Sequence, residues 1–182
     1  MFTFDWLAKR AQLSPDKTAM IDTATGRRFT YAQFHERASR LAEFLGAEWG
    51  IRPGDRVAIL APNCTDYFET LYACAKAGAI LVCLNWRLAV PELEAIVRDS
   101  TPRALIYDPG FAGASGALKR ALQTGEGAET APLQSLMCLG EAATKTFLAA
   151  GYYSHLNPEG RRITPEAVIE GRAGNFYGGW GF

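Results

Sequence analysis

Two glycine-rich segments of the chain are the first candidates for phosphate chemistry. A phosphate-binding loop ends in Gly-Lys-Ser/Thr, because its backbone amides cradle the phosphates and its lysine neutralises their charge. Residues 110–116 read Gly-Phe-Ala-Gly-Ala-Ser-Gly and residues 177–181 read Tyr-Gly-Gly-Trp-Gly, and neither includes that lysine. These compositions predict a simple loop at 110–116 and no phosphate cradle in either segment.

A hydride-transfer cofactor would require a different glycine pattern. NAD and FAD sites need glycines in the first strand–helix turn, where backbone amides at a helix N-terminus approach the pyrophosphate. The corresponding turn here, residues 61–65, reads Ala-Pro-Asn-Cys-Thr and has no glycine. Pro62 also lacks an amide hydrogen. The sequence therefore argues against a dinucleotide site.

The cysteines and histidines form no pattern that predicts a metal site or a nucleophile. The cysteines lack C-x-x-C spacing, and no Gly-x-Ser-x-Gly elbow is present. Cys74 and Cys83 lie in apolar runs and are predicted to be small core residues. His35 is predicted to lie on the exposed face of a helix. The remaining cysteines are Cys64 and Cys138, and the remaining histidine is His155.

Carboxylates are candidates for acid–base work, which needs two of them in one site. Five lie on predicted helices, where the pattern favours a solvated face over a paired site: Asp66, Glu69, Glu92, Glu94 and Asp99. From the residues alone, no catalytic residue and no metal ligand is assigned, and cofactor-binding residues stay unidentified.

Asn85, Trp86 and Arg87 make a polar loop after a predicted strand, and sites of α/β proteins gather at the carboxyl ends of strands. Asn85 and Arg87 either contact a ligand or hydrogen-bond the loop to nearby backbone, and the second interpretation is favoured. Trp86 lines a substrate-facing surface or covers the core. The sequence leaves that choice open.

The elements that position these residues follow from periodicity and turn chemistry. Residues 3–12 are predicted to form a helix, and a β-hairpin is predicted from Thr18–Ile21 and Arg28–Phe29. Thr30 and Gln33 have capping-box spacing at the start of a second helix. In that helix, the predicted buried residues are Phe34, Ala38, Leu41 and Leu45.

Residues 56–107 read as strand, helix, strand, helix, strand. The strands at 56–60, 79–84 and 104–107 are apolar throughout, which is typical of parallel strands buried on both faces. The first intervening helix carries an apolar stripe of Phe68, Leu71, Tyr72 and Ala75, and the second carries Leu93, Ile96 and Val97. Weaker patterns predict a helix at 114–122, a strand at 133–139, a helix at 141–150, a helix start at 164–167 and an irregular segment at 171–182.

Composition excludes several classes of protein. The 182 residues carry 19 Lys plus Arg and 19 Asp plus Glu, and this balance predicts no nucleic-acid partner. No apolar stretch reaches the length of a membrane span, and residues 1–7 lack the basic start and apolar run of a signal peptide. A cytoplasmic protein is therefore expected.

Several linked segments, in this order and spacing, closely resemble the N-terminal region of AMP-forming acyl-CoA synthetases, the adenylate-forming ligase superfamily. The resemblance covers residues 1–110 well and extends loosely to about 165. It is carried by Pro15–Ala19, Phe29–Tyr31, Gly54–Asn63, Ala77–Val82, Leu84–Leu88, Pro91–Leu93, Asp99–Ser100 and Ile163–Glu166.

The resemblance implies a two-step reaction for the full-length family. A carboxylate attacks the α-phosphate of ATP to give an acyl-adenylate and pyrophosphate, and the thiol of CoA then displaces AMP. Mg²⁺ and a glycine-rich loop with a lysine would offset the phosphate charge. That loop, the adenine and Mg²⁺ contacts and a catalytic lysine have no match in these residues. A fatty or aromatic acid is the expected substrate class.

The resemblance also implies a division of the chain. Residues 1–165 are expected to be a truncated N-terminal AMP-binding domain, an α/β subdomain with a parallel sheet, an N-terminal helix and a hairpin. Residues 166–182 are expected to be a divergent, irregular tail. ATP, Mg²⁺ and CoA are not expected to bind well, and catalysis by these residues alone is not expected. The alternative is a non-catalytic interaction module. Self-association through an exposed apolar face is a further expectation.

Overall fold

The computed structural model describes residues 5–23, 26–123 and 133–139. These residues form an α/β structure with a helix and a β-hairpin at its N-terminal side, which confirms the predicted fold class. In chain order the elements are α1 (Trp6–Leu13), β1 (Thr18–Ile21), β2 (Arg28–Thr30), α2 (Tyr31–Ala47), β3 (Arg56–Leu60), α3 (Thr65–Ala77), β4 (Ile80–Cys83), α4 (Val90–Ser100), β5 (Ala104–Tyr107), a 3₁₀ turn (Pro109–Phe111), α5 (Ala112–Gln123) and β6 (Ser135–Cys138).

Four strands form one parallel sheet in the order β4-β3-β5-β6. In the register of β3, Ile59 lies between Cys83 of β4 and Ile106 of β5. The three strands predicted within residues 56–107 therefore share one parallel sheet, and the strand predicted at 133–139 joins them beside β5.

The sheet has helices on both faces because successive side chains of a strand point to opposite sides. Val57 and Ile59 pack into a core with residues of α2 and α3. Ala58 and Leu60 pack into a second core with residues of α4 and α5. Every one of these four β3 positions is buried, so both faces of the sheet are covered at its central strand β3.

The edge strand β4 is less buried than its apolar sequence predicts. Ile80 is 53% exposed, and Cys83 is exposed as well. The prediction of burial on both faces is therefore right for β3 and β5 and wrong for β4. A run of apolar residues does not distinguish a central strand from an edge strand, since that depends on which strands pair.

The start of α2 has the predicted reciprocal cap. The Thr30 hydroxyl oxygen accepts a hydrogen bond from the Gln33 amide at 3.2 Å, and the Gln33 side chain accepts one from the Thr30 amide at 2.9 Å. The predicted core positions of this helix, Phe34, Ala38, Leu41 and Leu45, are all buried.

Helix α1 begins later than the sequence predicts. It begins at Trp6, because the Asp5 carboxylate accepts a hydrogen bond from the Ala8 amide at 2.9 Å and caps the first turn. Leu7 is its buried residue, and it packs against Phe34 and Ala38 of α2. The hairpin strands β1 and β2 pair antiparallel, as predicted.

The predicted apolar stripe of α3 is not its buried face. Phe68 is 45% exposed, Leu71 is 40% exposed and Ala75 is also exposed. The residues of α3 that face the core include Thr70, Ala73 and Cys74 instead. The stripe assignment was wrong for Phe68, Leu71 and Ala75, whereas Tyr72 is partly buried against Phe34 of α2. In α4, Leu93 and Val97 are buried as predicted, whereas Ile96 is 36% exposed. The apolar stripe of a helix therefore does not by itself identify the face that is buried in this fold.

The turn between α3 and β4 depends on a glycine. Gly78 has a φ of 70°, and a Cβ at this position would lie 3.1 Å from the Cβ of Pro53. The Gly54 amide donates to the Gly78 carbonyl at 2.8 Å. A side chain at position 78 would therefore meet both a left-handed backbone and a steric obstacle.

Arg56 joins the start of β3 to the end of α4. Its guanidinium donates to the Ser100 carbonyl at 2.9 Å and to the Thr101 carbonyl at 3.0 Å. Thr101 has a φ of 46° and ends the helix in the left-handed region. The Arg56 guanidinium thereby donates to carbonyls that have no hydrogen-bond partner within α4. These carbonyls lie at the C-terminal end of the helix, where the helix dipole is negative and a cation is stabilising.

Ser115 of α5 is buried, and its hydroxyl has no hydrogen-bond partner among the residues that the structure describes. A buried hydroxyl without a partner has lost its water without compensation. We expect Ser115→Ala to be neutral or to stabilise the fold by up to about 1 kcal/mol, because the methyl group fits the same space. Urea denaturation followed by circular dichroism measures the change. A clear loss of stability would show that the hydroxyl has a partner in solution.

Candidate functional site

The carboxyl edge of the sheet is where the structure brings candidate residues together. β3, β4 and β5 are parallel, so the segments that follow them emerge at the same edge. These segments are the turn at 61–64, the loop at 84–89 and the start of the 3₁₀ turn at Asp108. In parallel α/β sheets this edge is the usual place for ligands.

The loop after β4 is held by its own side chains. The Asn85 carboxamide oxygen accepts a hydrogen bond from the Arg87 amide at 3.1 Å, which is the kind of contact that the favoured interpretation expects of Asn85. The Arg87 guanidinium carbon lies 4.2 Å from the centroid of the Trp86 ring. This distance is that of a cation–π contact, so Arg87 stacks on its neighbour.

Trp86 connects this loop to the segment after β5. Its ring centroid lies 6.0 Å from that of Phe111, in a tilted arrangement, and the indole remains partly exposed. Trp86 therefore covers apolar side chains and faces solvent at the same time. The geometry is compatible with both of the alternatives stated above for its role.

The turn after β3 offers little to a phosphate. Cys64 is the N-cap of α3, and its side chain makes no capping hydrogen bond. Burial raises the pKa of the Cys64 thiol, so this group is a neutral thiol near pH 7. Pro62 lies at the same turn and has no amide hydrogen.

The glycine-rich segment at 110–116 is not the loop that the sequence predicts. Pro109–Phe111 form a 3₁₀ turn and α5 begins at Ala112, so the remainder of the segment is helical. The Asp108 carboxylate accepts a hydrogen bond from the Gly110 amide at 2.9 Å. That amide therefore already donates to a carboxylate of the chain itself. The loop prediction was wrong for residues 112–116, because two glycines do not prevent a helix that packs on a sheet, whereas the helix predicted at 114–122 is confirmed within α5.

The two cysteines predicted to be core residues have different environments. Cys74 is buried in the core between the sheet and α3, as predicted, and burial raises the pKa of its thiol to about 12. Cys83 is exposed at the end of the edge strand, so that prediction was wrong. Burial and then a hydrogen bond with the Cys83 thiol raise the pKa of the Tyr67 hydroxyl. The raised pKa of the Cys74 thiol is the opposite of what a nucleophilic cysteine needs.

Glu69 was predicted to lie on a solvated helix face, and of the five predicted carboxylates it differs most from that prediction. It is 4% exposed, and its Oε2 accepts a hydrogen bond from Arg37 Nε at 2.6 Å. Arg37 also reaches Asp66 at 3.5 Å. Burial raises the pKa of Glu69, and Arg37 partly offsets that effect. Helical spacing placed Glu69 on a polar face, but that face packs against α2.

The other predicted carboxylates support helices. Glu92 accepts a hydrogen bond from the Ala89 amide at 2.8 Å and caps α4. Glu94 pairs with Arg98 one turn later at 2.8 Å, and Asp99 is exposed. None of these contacts brings two carboxylates into one acid–base site.

His35 lies in a contact that the sequence did not predict. Its Nδ1 is 2.9 Å from Nζ of Lys76, and Lys76 Nζ is also 2.6 Å from the Asp5 carboxylate. His35 is therefore partly buried between helices, and the prediction of a free surface position was wrong. The three residues come from positions 5, 35 and 76, which no local spacing connects.

Among residues 5–23, 26–123 and 133–139, no three His, Cys, Asp or Glu side chains lie close enough together to hold a metal ion. Within the same ranges, no helix has both the length and the apolar character needed to span a membrane. The Cys138 side chain, His155, the elements predicted at 141–150 and 164–167, and the segment at 171–182 lie outside the described residues.

A three-layer α/β structure with a parallel sheet, whose carboxyl edge carries these loops, defines the class of protein. Residues 7–157 match the family of AMP-binding enzymes, and the chain belongs to that family. This confirms the resemblance drawn from the sequence.

Particular relatives are ligases. Over 113 residues the chain is 48% identical to a feruloyl-CoA synthase of an Amycolatopsis species, a match that covers 62% of this chain and 22% of that enzyme. It is 44% identical over 101 residues to the long-chain-fatty-acid–CoA ligase FadD13 of Mycobacterium tuberculosis, covering 56% of this chain and 20% of that enzyme. The crystal structure of the N-terminal domain of FACL13 from M. tuberculosis superposes with a TM-score of 0.70 at 34% identity, covering 81% of this chain and 36% of that chain. The chain thus spans about a fifth of the two curated relatives.

Proposed function

We propose that this chain is the N-terminal part of an ATP-dependent carboxylate–CoA ligase that activates an acid as its acyl-adenylate and transfers the acyl group to CoA. The single observation that carries the proposal is the match of residues 7–157 to the AMP-binding family. Relatives named for feruloyl-CoA and for long-chain fatty acids support an aromatic or fatty acid as substrate. Residues 1–165 would then belong to the AMP-binding domain and residues 166–182 would be a divergent segment.

The described part of the chain supplies scaffold in this proposal, and the adenylating groups lie elsewhere in the ligase. The turn at 61–64 lacks glycine, and the amide of Gly110 already donates to Asp108. The described residues at this edge therefore offer no glycine-rich amide loop for the phosphates of ATP, and no three His, Cys, Asp or Glu side chains lie together among the described residues. ATP, Mg²⁺ and CoA are accordingly not expected to bind tightly to the 182 residues alone.

A chimeric enzyme tests the scaffold role. The matched residues of the Amycolatopsis feruloyl-CoA synthase are replaced by those of this chain, and release of pyrophosphate from ATP is measured with ferulate and with a long-chain fatty acid. We expect a folded chimera with acid-dependent activity, with the unaltered synthase as positive control. A chimera that folds but releases no pyrophosphate with either acid would contradict the proposal.

The 182-residue chain is tested by itself in parallel. With ATP, Mg²⁺, mixed acids and CoA, we expect no pyrophosphate or AMP above the blank and no thermal stabilisation by ATP. Robust turnover would show that these residues contain a complete ATP site.

A non-catalytic interaction module is the second candidate, and the exposed apolar face of α3 favours it. Phe68 and Leu71 are one helical turn apart, and Phe68 also lines a groove of about 400 Å³ together with Trp6, Tyr31 and Tyr72. Stabilisation of the chain by a partner protein, combined with an inactive chimera, would favour this function.

The same face leads to a prediction of self-association. We expect the chain to form dimers or larger species at micromolar concentrations, because water is excluded when two such faces meet. Leu71→Glu is expected to shift the species towards monomer, measured by light scattering after size exclusion. Ile96→Glu, at an exposed position on α4, is the matched control and should have no such effect. A monodisperse wild-type monomer would contradict the prediction.

A further inference from the structure

One lysine joins the N-terminal helix to the helical layer beneath it. Lys76 of α3 lies between the Asp5 carboxylate at 2.6 Å and Nδ1 of His35 at 2.9 Å. The Lys76 side chain is only 11% exposed, whereas the Asp5 side chain is 40% exposed. Asp5 is the cap of α1 and His35 belongs to α2. Three helices therefore meet at a single ammonium group.

This geometry determines the protonation state of His35. A lysine ammonium has three donors and no acceptor, so Nδ1 of His35 must accept its hydrogen bond. The imidazole is therefore neutral and carries its proton on Nε2. A proton added to Nδ1 would remove the acceptor and place two cations at hydrogen-bond distance.

The charged groups around His35 oppose one another. Burial and the Lys76 ammonium lower the pKa of His35, in that order, while Asp5 and the adjacent Glu36 act in the opposite direction. The net pKa is below the usual value for histidine, so the docked arrangement binds a proton less well than an exposed imidazole does. Docking is thus favoured above the usual titration range of histidine and is weakened as the pH falls through that range.

Helix α1 depends on contacts of this kind. It has eight residues, which is too short for a stable isolated helix in water. Leu7 is its buried residue, packed in the cluster of Phe34 and Ala38, and the ion pair between Asp5 and Lys76 is its charged contact with α3. When Lys76 is displaced, α1 loses its charged contact with α3 and keeps the packing of Leu7 and the cation–π contact of Arg10 with Tyr31 of α2, at 4.9 Å.

We propose that Asp5, His35 and Lys76 form a pH-sensitive latch: protonation of His35 displaces the Lys76 ammonium and releases helix α1 from α2 and α3. Release uncovers Phe34 and Ala38 and removes the wall that Trp6 and Leu7 give to the aromatic groove. The N-terminal helix is then docked at neutral pH and open in mild acid.

Hydrogen exchange followed by mass spectrometry tests the latch on the full 182-residue chain. Amides of α1 are compared at pH 7.5 and pH 5.0, after correction for intrinsic exchange, with the amides of α5 as internal reference. We expect the equilibrium constant for opening of α1 to be about tenfold to a hundredfold larger at the lower pH. This is the size of effect that the loss of one hydrogen bond to a charged group produces. The amides of α5 should keep their protection.

Two histidine variants separate the latch from general acid effects, since the chain has only His35 and His155. In His35→Gln, the amide oxygen still accepts from Lys76 but does not titrate, so α1 should stay protected at both pH values. His155→Gln should behave like the wild type. In Lys76→Met, α1 should be open at both pH values.

The proposal is overturned if α1 of the wild type has the same protection at both pH values. It is equally overturned if His35→Gln retains the increase in exchange, or if α5 loses protection together with α1. The last result would mean that acid unfolds the whole domain.

Discussion

Replacing Arg37 by Met is expected to cost about 3–5 kcal/mol of stability, because it leaves the buried Glu69 carboxylate without its cation. Glu69 is 4% exposed, and Arg37 Nε lies 2.6 Å from its Oε2. The methionine retains much of the apolar stem of the arginine, including volume next to Phe29, whose ring centroid is 5.3 Å from the guanidinium carbon. The change therefore removes charge more than packing. Urea denaturation at neutral pH measures the effect.

The pH dependence of this variant identifies the cause. Burial raises the pKa of Glu69 above its unfolded value, and loss of Arg37 raises it further. A raised pKa in the folded state gives stability that is present below the unfolded pKa and is lost as the pH rises through the folded pKa. The penalty of Arg37→Met should therefore be larger at about pH 8 than at about pH 5, since a protonated Glu69 is neutral.

Two further variants complete the test. The double variant Arg37→Met with Glu69→Met should recover much of the lost stability, because apolar replacement of both partners of a buried pair is often neutral. Arg98→Met is the control: Arg98 pairs with Glu94 one turn away and also donates to the Ala121 carbonyl at 3.1 Å, and its loss should cost about 1 kcal/mol. An Arg37 variant that costs no more than this control would show that Glu69 is solvated in solution.

Replacing Ile106 by Ala is expected to cost about 2–5 kcal/mol, the usual range for truncation of a buried aliphatic side chain. Ile106 is fully buried on β5, which has β3 on one side and β6 on the other. Its side chain packs in the core between the sheet and the helices α2 and α3. Neighbours held in a sheet cannot easily move into the cavity, so the cost should lie in the upper part of the range.

Ile96→Ala provides the control for Ile106→Ala. Ile96 has the same side chain on α4 but is 36% exposed, and alanine is the better helix former. We expect a change within about 0.5 kcal/mol, measured by the same denaturation experiment. Equal effects at the two positions would mean that the sheet is not the stable centre of this fold.

Local features of the fold were predictable from sequence because each depends on residues close together in the chain. The reciprocal cap of Thr30 and Gln33 spans one helical turn, and the period of Phe34, Ala38 and Leu41 reports one face of one helix. The three strands within residues 56–107 were predictable for a similar reason. Short apolar runs separated by amphipathic helices have few arrangements other than a parallel sheet.

The glycine-rich segment at 110–116 shows how a local signal can mislead. Its composition favours a loop, yet most of it lies in α5, which packs beside α4 and β5. Burial of Leu118 and Leu122 stabilises the helix against the weak propensity of its glycines. Tertiary packing overrode intrinsic preference there.

By itself, the sequence determined the class of protein: the order of elements, the parallel sheet and the resemblance to adenylate-forming ligases. Only the tertiary structure decided which positions are enclosed. It buried Glu69 against Arg37, joined His35 to Lys76 and Asp5, and left Phe68 and Leu71 of α3 exposed. The physical reason is that periodicity describes one helix or strand at a time, whereas burial and pKa depend on which distant elements pack against it.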